Sequence, residues 1–315
     1  MARKYLIVAG LTVIAIIVVL GYSLCGHNVS DNEAIGIAKS LSDRLNIKHN
    51  HQLSVKSKSI METLFIGTDA IPVVFTDNNK LLAFVSDKNK QVSQLSNPEA
   101  MDRVLSELGP EYRKTWPSFW KQEKPGLFID ENSAKQILLE HASKIGLPRD
   151  VEHPEFRLDK DYGLWIATWK RKYNRYLFDK DYVSISIIAV NGEFNSYSKS
   201  YNGEPCSTEV KIEKKEAIGT AFKKFINYFP KGKWEKNKEK FEIVSSELRI
   251  VKPDEYWRRL IPFNSSKSRL AWVVVFDVKK GQEAETIGVL NKDKSVIKVD
   301  AASNKILSSE INIVP

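Results

Sequence analysis

Apolar residues fall into two alternating regimes along the chain: stretches with helical spacing that start abruptly after a polar triplet, and stretches that alternate every second residue and end in turn-forming residues. Three helix starts share one pattern: Val29-Ser30-Asp31-Asn32-Glu33-Ala34-Ile35-Gly36, Ile129-Asp130-Glu131-Asn132-Ser133-Ala134-Lys135-Gln136 and Ile212-Glu213-Lys214-Lys215-Glu216-Ala217-Ile218-Gly219. Each opens on a β-branched apolar residue suited to a hydrophobic staple, passes polar positions and places Ala at the same offset. Ser30 and Glu33 have capping-box spacing. Ala134, Ile137, Leu138, His141 and Ala142 then trace one buriable helix face.

Strand material follows each helix. Val183, Ile185 and Ile187 alternate with Ser184 and Ser186 and run into Asn191-Gly192, a strong hairpin signal. Val296, Ile297 and Val299 lead to Ser303-Asn304 and then Ile306 and Leu307. Leu81 to Val85 leads to Asp87-Lys88-Asn89-Lys90 and then Val92. The third unit is longer, with an insertion near 231–262: a charged segment from Lys231 to Lys240, an alternating strand from Phe241 to Val251, and an aromatic, arginine-bearing turn region from Pro253 to Pro262. Trp165 and Trp272 occupy corresponding strands before the hairpins and are expected in the core. The predicted fold class is α+β: an N-terminal transmembrane helix followed by repeated units of a helix packed on antiparallel strands. The expected segments are 1–26 as the anchor or signal, 27–125 as a divergent first unit, 126–208 as the second and 209–315 as the third.

The anchor is expected because Tyr5 to Gly26 carries no charge and, at about 1.5 Å per residue, reaches roughly 33 Å as a helix. Arg3 and Lys4 before it would hold the N-terminus in the cytoplasm and place the rest outside at the cell membrane. Removal as a signal peptide and lipidation at Cys25 are the alternatives. Only two cysteines occur, Cys25 and Cys206, far apart in sequence, so no disulfide is expected and Cys206 reads as a small buried or half-buried residue.

Length and composition, 315 residues with 42% hydrophobic, describe a chain that can bury a sizeable core. The helix starts, the Trp-containing strand and the endings Val183 to Glu193 and Val299 to Leu307 resemble the PepSY family, and more closely its tandem YcdB/YcdC-type repeat found in exported bacterial proteins. That family's last hairpin reads Asp-Ala-x-Thr-Gly; here Asp300-Ala301-Ala302-Ser303-Asn304 keeps its beginning only, and Ile188-Ala189 replaces the favoured Asp in the second unit. The resemblance implies a membrane-associated extracytoplasmic module without catalytic residues or cofactor, proposed in that family to restrain or assist peptidases.

No His-Glu-x-x-His, Gly-x-Ser-x-Gly, phosphate-binding glycine loop or Cys-x-x-Cys pair occurs. Ser118/Lys121 and Ser196/Lys199 match Ser-x-x-Lys, and Ser30-Asp31-Asn32 matches its companion motif, but in the wrong order, so they read as chance matches. His49-Asn50-His51 lacks further ligands at metal spacing and reads as a solvated loop. Asp159-Lys160-Asp161-Tyr162 recurs as Asp179-Lys180-Asp181-Tyr182 without the glycine and glutamate of a calcium loop, and reads as polar strand ends.

A formal charge of +9 is partly concentrated in Lys170, Arg171, Lys172 and Arg175, interleaved with Tyr173 and Tyr176. These cations are the candidate surface for anionic lipid or cell-wall polymer, and a cation-protected hairpin edge is the simpler account. Tyr256, Trp257, Arg258 and Arg259 have hot-spot composition and are the candidate partner-binding residues. The function expected is a non-enzymatic binding or regulatory protein with an envelope peptidase as possible partner, and no nucleic acid. The alternatives are a cationic envelope-polymer or lipid-surface binder and, third, a serine hydrolase whose nucleophile is not identifiable.

Overall fold

The computed structural model describes residues 28–47, 50–56, 70–110, 126–229, 238–253, 267–280 and 294–311. Four α-helices lie among the described residues: α1 (Asp31–Arg44), α2 (Ala100–Leu108), α3 (Glu131–Ile145) and α4 (Lys214–Ile226). The strands are β1 (Leu53–Val55), β2 (Ala70–Phe75), β3 (Leu81–Ser86), β4 (Val92–Ser96), β5 (Glu155–Asp159), β6 (Leu164–Tyr173), β7 (Tyr176–Ile188), β8 (Phe194–Ser200), β9 (Phe241–Val251), β10 (Arg269–Val278), β11 (Ser295–Asp300) and β12 (Ile306–Glu310).

Two expectations are corrected. The strands do not form independent antiparallel units: all twelve pair into one mixed sheet, in which β7 and β9 are parallel, Leu177 opposite Arg249 and Phe178 opposite Ile250. A three- or four-stranded unit leaves open N–H and C=O groups at its edges, and pairing those edges satisfies them. The transmembrane helix is not supported either: no helix among the described residues is long and apolar enough to cross a membrane, and Tyr5 to Gly26 lies outside the described residues.

The chain divides into two compact units, Met1–Lys170 with Tyr182–Ser200, and Arg171–Asp181 with Tyr201–Pro315. In the first, β1 to β4 pair in sequence order and β4 pairs with β8, Leu95 opposite Tyr197. Helix α1 lies on these strands. In the second, α4 covers β10 and β11, with Ala217, Ala221 and Phe225 packed on Val274, Phe276, Ile297 and Val299. Phe225 and Phe276 stack with ring centroids 4.4 Å apart.

What recurs is smaller than a domain. Each helix start is tied to the turn of its own closing hairpin. The Val29 N–H donates to Asp87 Oδ1 (2.9 Å), the Ile129 N–H to the Ala189 carbonyl (2.8 Å) and the Ile212 N–H to the Ala301 carbonyl (2.9 Å). The three hairpins β3–β4, β7–β8 and β11–β12 share a register shift at one position, between Phe84/Val85, Ser186/Ile187 and Lys298/Val299. Their turns share a left-handed residue, Lys90 (φ 55°), Gly192 (φ 74°) and Asn304 (φ 58°), whose N–H closes on Ser86, Ile188 and Asp300. Ala34, Ala134 and Ala217, at the same place in the three helix starts, are all completely buried.

Side chains tune this shared closure. Ser30 caps α1 by accepting from the Glu33 N–H at 3.3 Å, and Asp130 caps α3 by accepting from Asn132 and Ser133, whereas Glu213 makes no side-chain cap to α4. The Glu33 carboxylate turns away from its own cap to Lys90 (2.9 Å), and the equivalent Glu216 accepts from Asn304 (2.8 Å), so the left-handed residue braces the helix twice over. In the middle copy Gly192 has no side chain to offer, and a Cβ there would lie 2.7 Å from Ile137 Cδ1.

Candidate functional site

The two tryptophans of the repeated pattern are structural anchors. Trp165 donates its indole N–H to the Ile129 carbonyl at 3.3 Å, and Trp272 donates to Ile212 at 2.9 Å. Each indole thereby meets the last free carbonyl before a helix, Trp165 buried and Trp272 partly buried.

The basic run sits where β6 turns into β7, reversed by Asn174 in the left-handed region (φ 56°). Lys170, in the first unit, pairs with Glu155 at 2.7 Å, and its carbonyl accepts from the Glu152 N–H. The other three cations belong to the second unit.

Arg171 is turned inward and is only 14% exposed. Its guanidinium donates to Asp181 Oδ2 (2.9 Å) and the Gly203 carbonyl (2.7 Å), and lies 4.4 Å from the Phe178 ring centroid and 4.6 Å from that of Tyr201. Asp181 also accepts from the backbone N–H groups of Asn202 and Gly203. Any Cβ at Gly203 would lie 2.4 Å from Phe178 Cδ1, so the chain passes this close only as glycine. This largely enclosed ion pair, its guanidinium against two aromatic rings, fixes the hairpin.

Arg175 is exposed, donates to Tyr176 Oη at 2.8 Å and covers its ring, while Tyr173 beside it is exposed and Lys172 half-buried. The structure therefore separates the four predicted cations: one paired in the first unit, one buried in an ion pair, and two at the hairpin end. Tyr256, Trp257, Arg258 and Arg259 lie outside the described residues.

Sequence reading missed the roles of the recurring aspartates. Asp159 accepts from the N–H groups of Asp161 and Tyr162 in a local turn, but Asp181, buried, and Asp179, half-buried, are partners of cations. The signal was parity: Asp181 shares the inward side of β7 with Val183, Ile185 and Ile187. Lys298, 3% exposed on β11, meets Asp179 at 2.7 Å and Glu310 at 3.6 Å. Nothing in the local sequence distinguishes it from a solvated lysine.

The remaining motif residues are accounted for by their contacts. Ser196 shares a hydrogen bond with Ser186 (2.7 Å), and Lys199 donates to Gln91 (3.0 Å). Ser118 and Lys121 lie outside the described residues. Cys206 is a free, half-buried thiol that burial pushes up, away from the thiolate form. Burial likewise pushes the Tyr197 phenol up to about 12. Among the described residues no group of three or more His, Cys, Asp and Glu is arranged to hold a metal ion.

No protein-family description matches the chain, and no curated protein matches it. It is similar to a solved structure, the Bacillus megaterium YpeB C-terminal domain, at 12% identity and a TM-score of 0.42, covering 92% of this chain and 100% of that one. A likeness of that size assigns neither family nor activity.

Proposed function

We propose that the chain is a non-catalytic, extracytoplasmic binding or regulatory protein of PepSY type, with an envelope peptidase as the partner class to test. The observation carrying this reading is the helix-to-hairpin closure built three times, at Val29/Asp87, Ile129/Ala189 and Ile212/Ala301. It coincides with the residues on which the sequence resemblance rests. The side chains that stand out chemically within this framework, Trp165, Trp272, Arg171 and Asp181, are engaged in holding it together. Recognition then falls to the segment containing Tyr256, Trp257, Arg258 and Arg259, whose composition suits an interface anchor.

The test is photo-crosslinking from position 257 of the full chain in envelope extract, followed by assay of each captured peptidase with and without the purified chain. A changed peptidase rate that a folded Trp257→Ala/Arg258→Ala variant no longer produces supports the reading. Unchanged rates with every captured peptidase, or full activity of the variant, reject it.

A second reading rests on the exposed Tyr173 and Arg175 at the β6–β7 hairpin end, with Lys172 beside them. A cationic, aromatic tip suits an anionic polymer or lipid surface. It requires salt-sensitive cosedimentation that Lys172→Gln/Arg175→Gln abolishes, and the same variant leaves a protein partner's binding intact if the first reading holds.

A further inference from the structure

A second charged cluster lies within the first unit, away from the basic hairpin. His51, two residues before β1, has Nδ1 2.7 Å from Asp77 Oδ2 and Nε2 2.8 Å from Glu99 Oε1. Its ring stacks on Phe75, with centroids 4.7 Å apart and planes 27° from parallel. Asp77 belongs to the turn between β2 and β3. Glu99 is the N-cap residue of α2 and gives that helix no side-chain cap.

The groups facing His51 are thus Asp77 from the turn and Glu99 from the helix start. Behind them, Arg103 lies 3.7 Å from the second oxygen of Glu99, donates to Asn97 Oδ1 and pairs with Glu193. Lys80 is held by Asp102 at 3.1 Å. The cluster borders an open cleft of about 450 Å³ lined by Lys80, Glu99, Asp102, Arg103, Ser106 and Glu107.

The chemistry of imidazole makes this geometry depend on one proton. A neutral ring has a single N–H and can donate to only one carboxylate, leaving its other nitrogen lone pair facing the second. Only the imidazolium donates to both. We propose that His51 is a proton-operated clasp, fastening the start of α2 to the β2–β3 turn while charged and releasing one side when neutral.

The hydrogen bond with Glu99 is the largest influence on the imidazole; burial opposes it, and the charges of Asp77 and Glu99 add to it, so His51 is held above its ordinary 6.5. A raised folded value means the clasp is fully present below the unfolded value and is lost as pH rises through the folded one. Ala100 and Val104 remain packed on Ile188 and Leu164, so release is confined to the first turn of α2 and its lead-in rather than the whole helix.

The full chain, labelled with 13C-histidine, would be titrated by NMR, with hydrogen exchange of residues 97–104 followed in parallel after correction for intrinsic rates. His51→Gln assigns the resonance by its loss. The expected result is a His51 midpoint above 6.5 and a several-fold fall in protection of 97–104 at that same midpoint. Glu99→Gln lowers the midpoint, and His51→Gln flattens the exchange profile. Should His51→Gln disturb folding, Asp77→Asn serves as the second variant and must also lower the midpoint. A wild-type midpoint at or below 6.5, pH-independent protection of 97–104, or a step that survives in a folded His51→Gln variant overturns the clasp.

Discussion

Replacing Gly192 with Ala isolates what the middle hairpin asks of its turn. Gly192 holds φ 74° and closes the β7–β8 turn through its N–H to Ile188. An L-residue in that left-handed conformation costs roughly 1–2 kcal/mol. The added Cβ would lie 2.7 Å from Ile137 Cδ1, the far end of a flexible side chain on α3, so the clash resolves by pushing Ile137 off its rotamer at about 0.5–1.5 kcal/mol. Against this, the stiffer unfolded chain returns roughly 0.4–1 kcal/mol. The net expectation is a loss of about 1–2.5 kcal/mol, read as lowered hydrogen-exchange protection of α3 and β8 in the full chain. Adding Ile137→Val removes the clashing methyl and should recover the steric share but not the backbone share. Lys90→Gly, at the equivalent turn with φ 55°, should move stability the other way or leave it unchanged, since its bond to Glu33 is exposed. Equal effects of Gly192→Ala and Lys90→Gly, or a Gly192→Ala loss that Ile137→Val leaves untouched, would refute the reasoning.

Ala217→Glu should cost about 3 kcal/mol or more by burying a carboxylate against Val274 and Phe276, compared with less than about 0.5 kcal/mol for exposed Lys214→Ala; thermal melting compares the two, and equal shifts would reject the α4 register. Arg171→Ala strands a buried Asp181 carboxylate and should cost roughly 3–5 kcal/mol, much of it recovered when Asp181→Asn is added, as a double-mutant cycle would show. Asp300 is buried, which alone would raise its pKa, but the Arg269 guanidinium and the amides of Ala302 and Ser303 outweigh burial and hold it below the ordinary value of 3.8. Its contribution is therefore present above the unfolded value and disappears as pH falls through the folded one; Asp300→Asn should flatten acid sensitivity in that window.

The helix starts and hairpins were readable because each is written locally, in a β-branched lead-in, a fixed Ala and a turn-forming segment, with a side-chain cap added in the first two. Asp130 and Asn191-Gly192 carry their information within a few residues. The sheet was not readable, because pairing Leu177 with Arg249 depends on which edges remain open after the hairpins close, and no short-range pattern records that. The basic run shows the same limit at side-chain scale. Four cations in six positions look like a surface, yet Arg171 finds Asp181 across the hairpin and the Gly203 carbonyl beyond it. Charge was legible; the partner that neutralises it was not.

The interleaved membership of the two units sets an order on synthesis. By the time residue 200 has emerged, every segment of the first unit exists, whereas Arg171–Asp181 already hangs from it as a hairpin whose partners β9 and β10 are still to be made. Tyr176 and Phe178, which finally pack on Ile250, Leu270 and Ala301, are then apolar surface without cover for as long as the next hundred or so residues take to appear, roughly 5–20 s at about 5–20 residues per second. A nascent or truncated chain stopping before β9 would present that hairpin to solvent and to its neighbours, and its apolar face stays open from about residue 200 until Ala301 has been made.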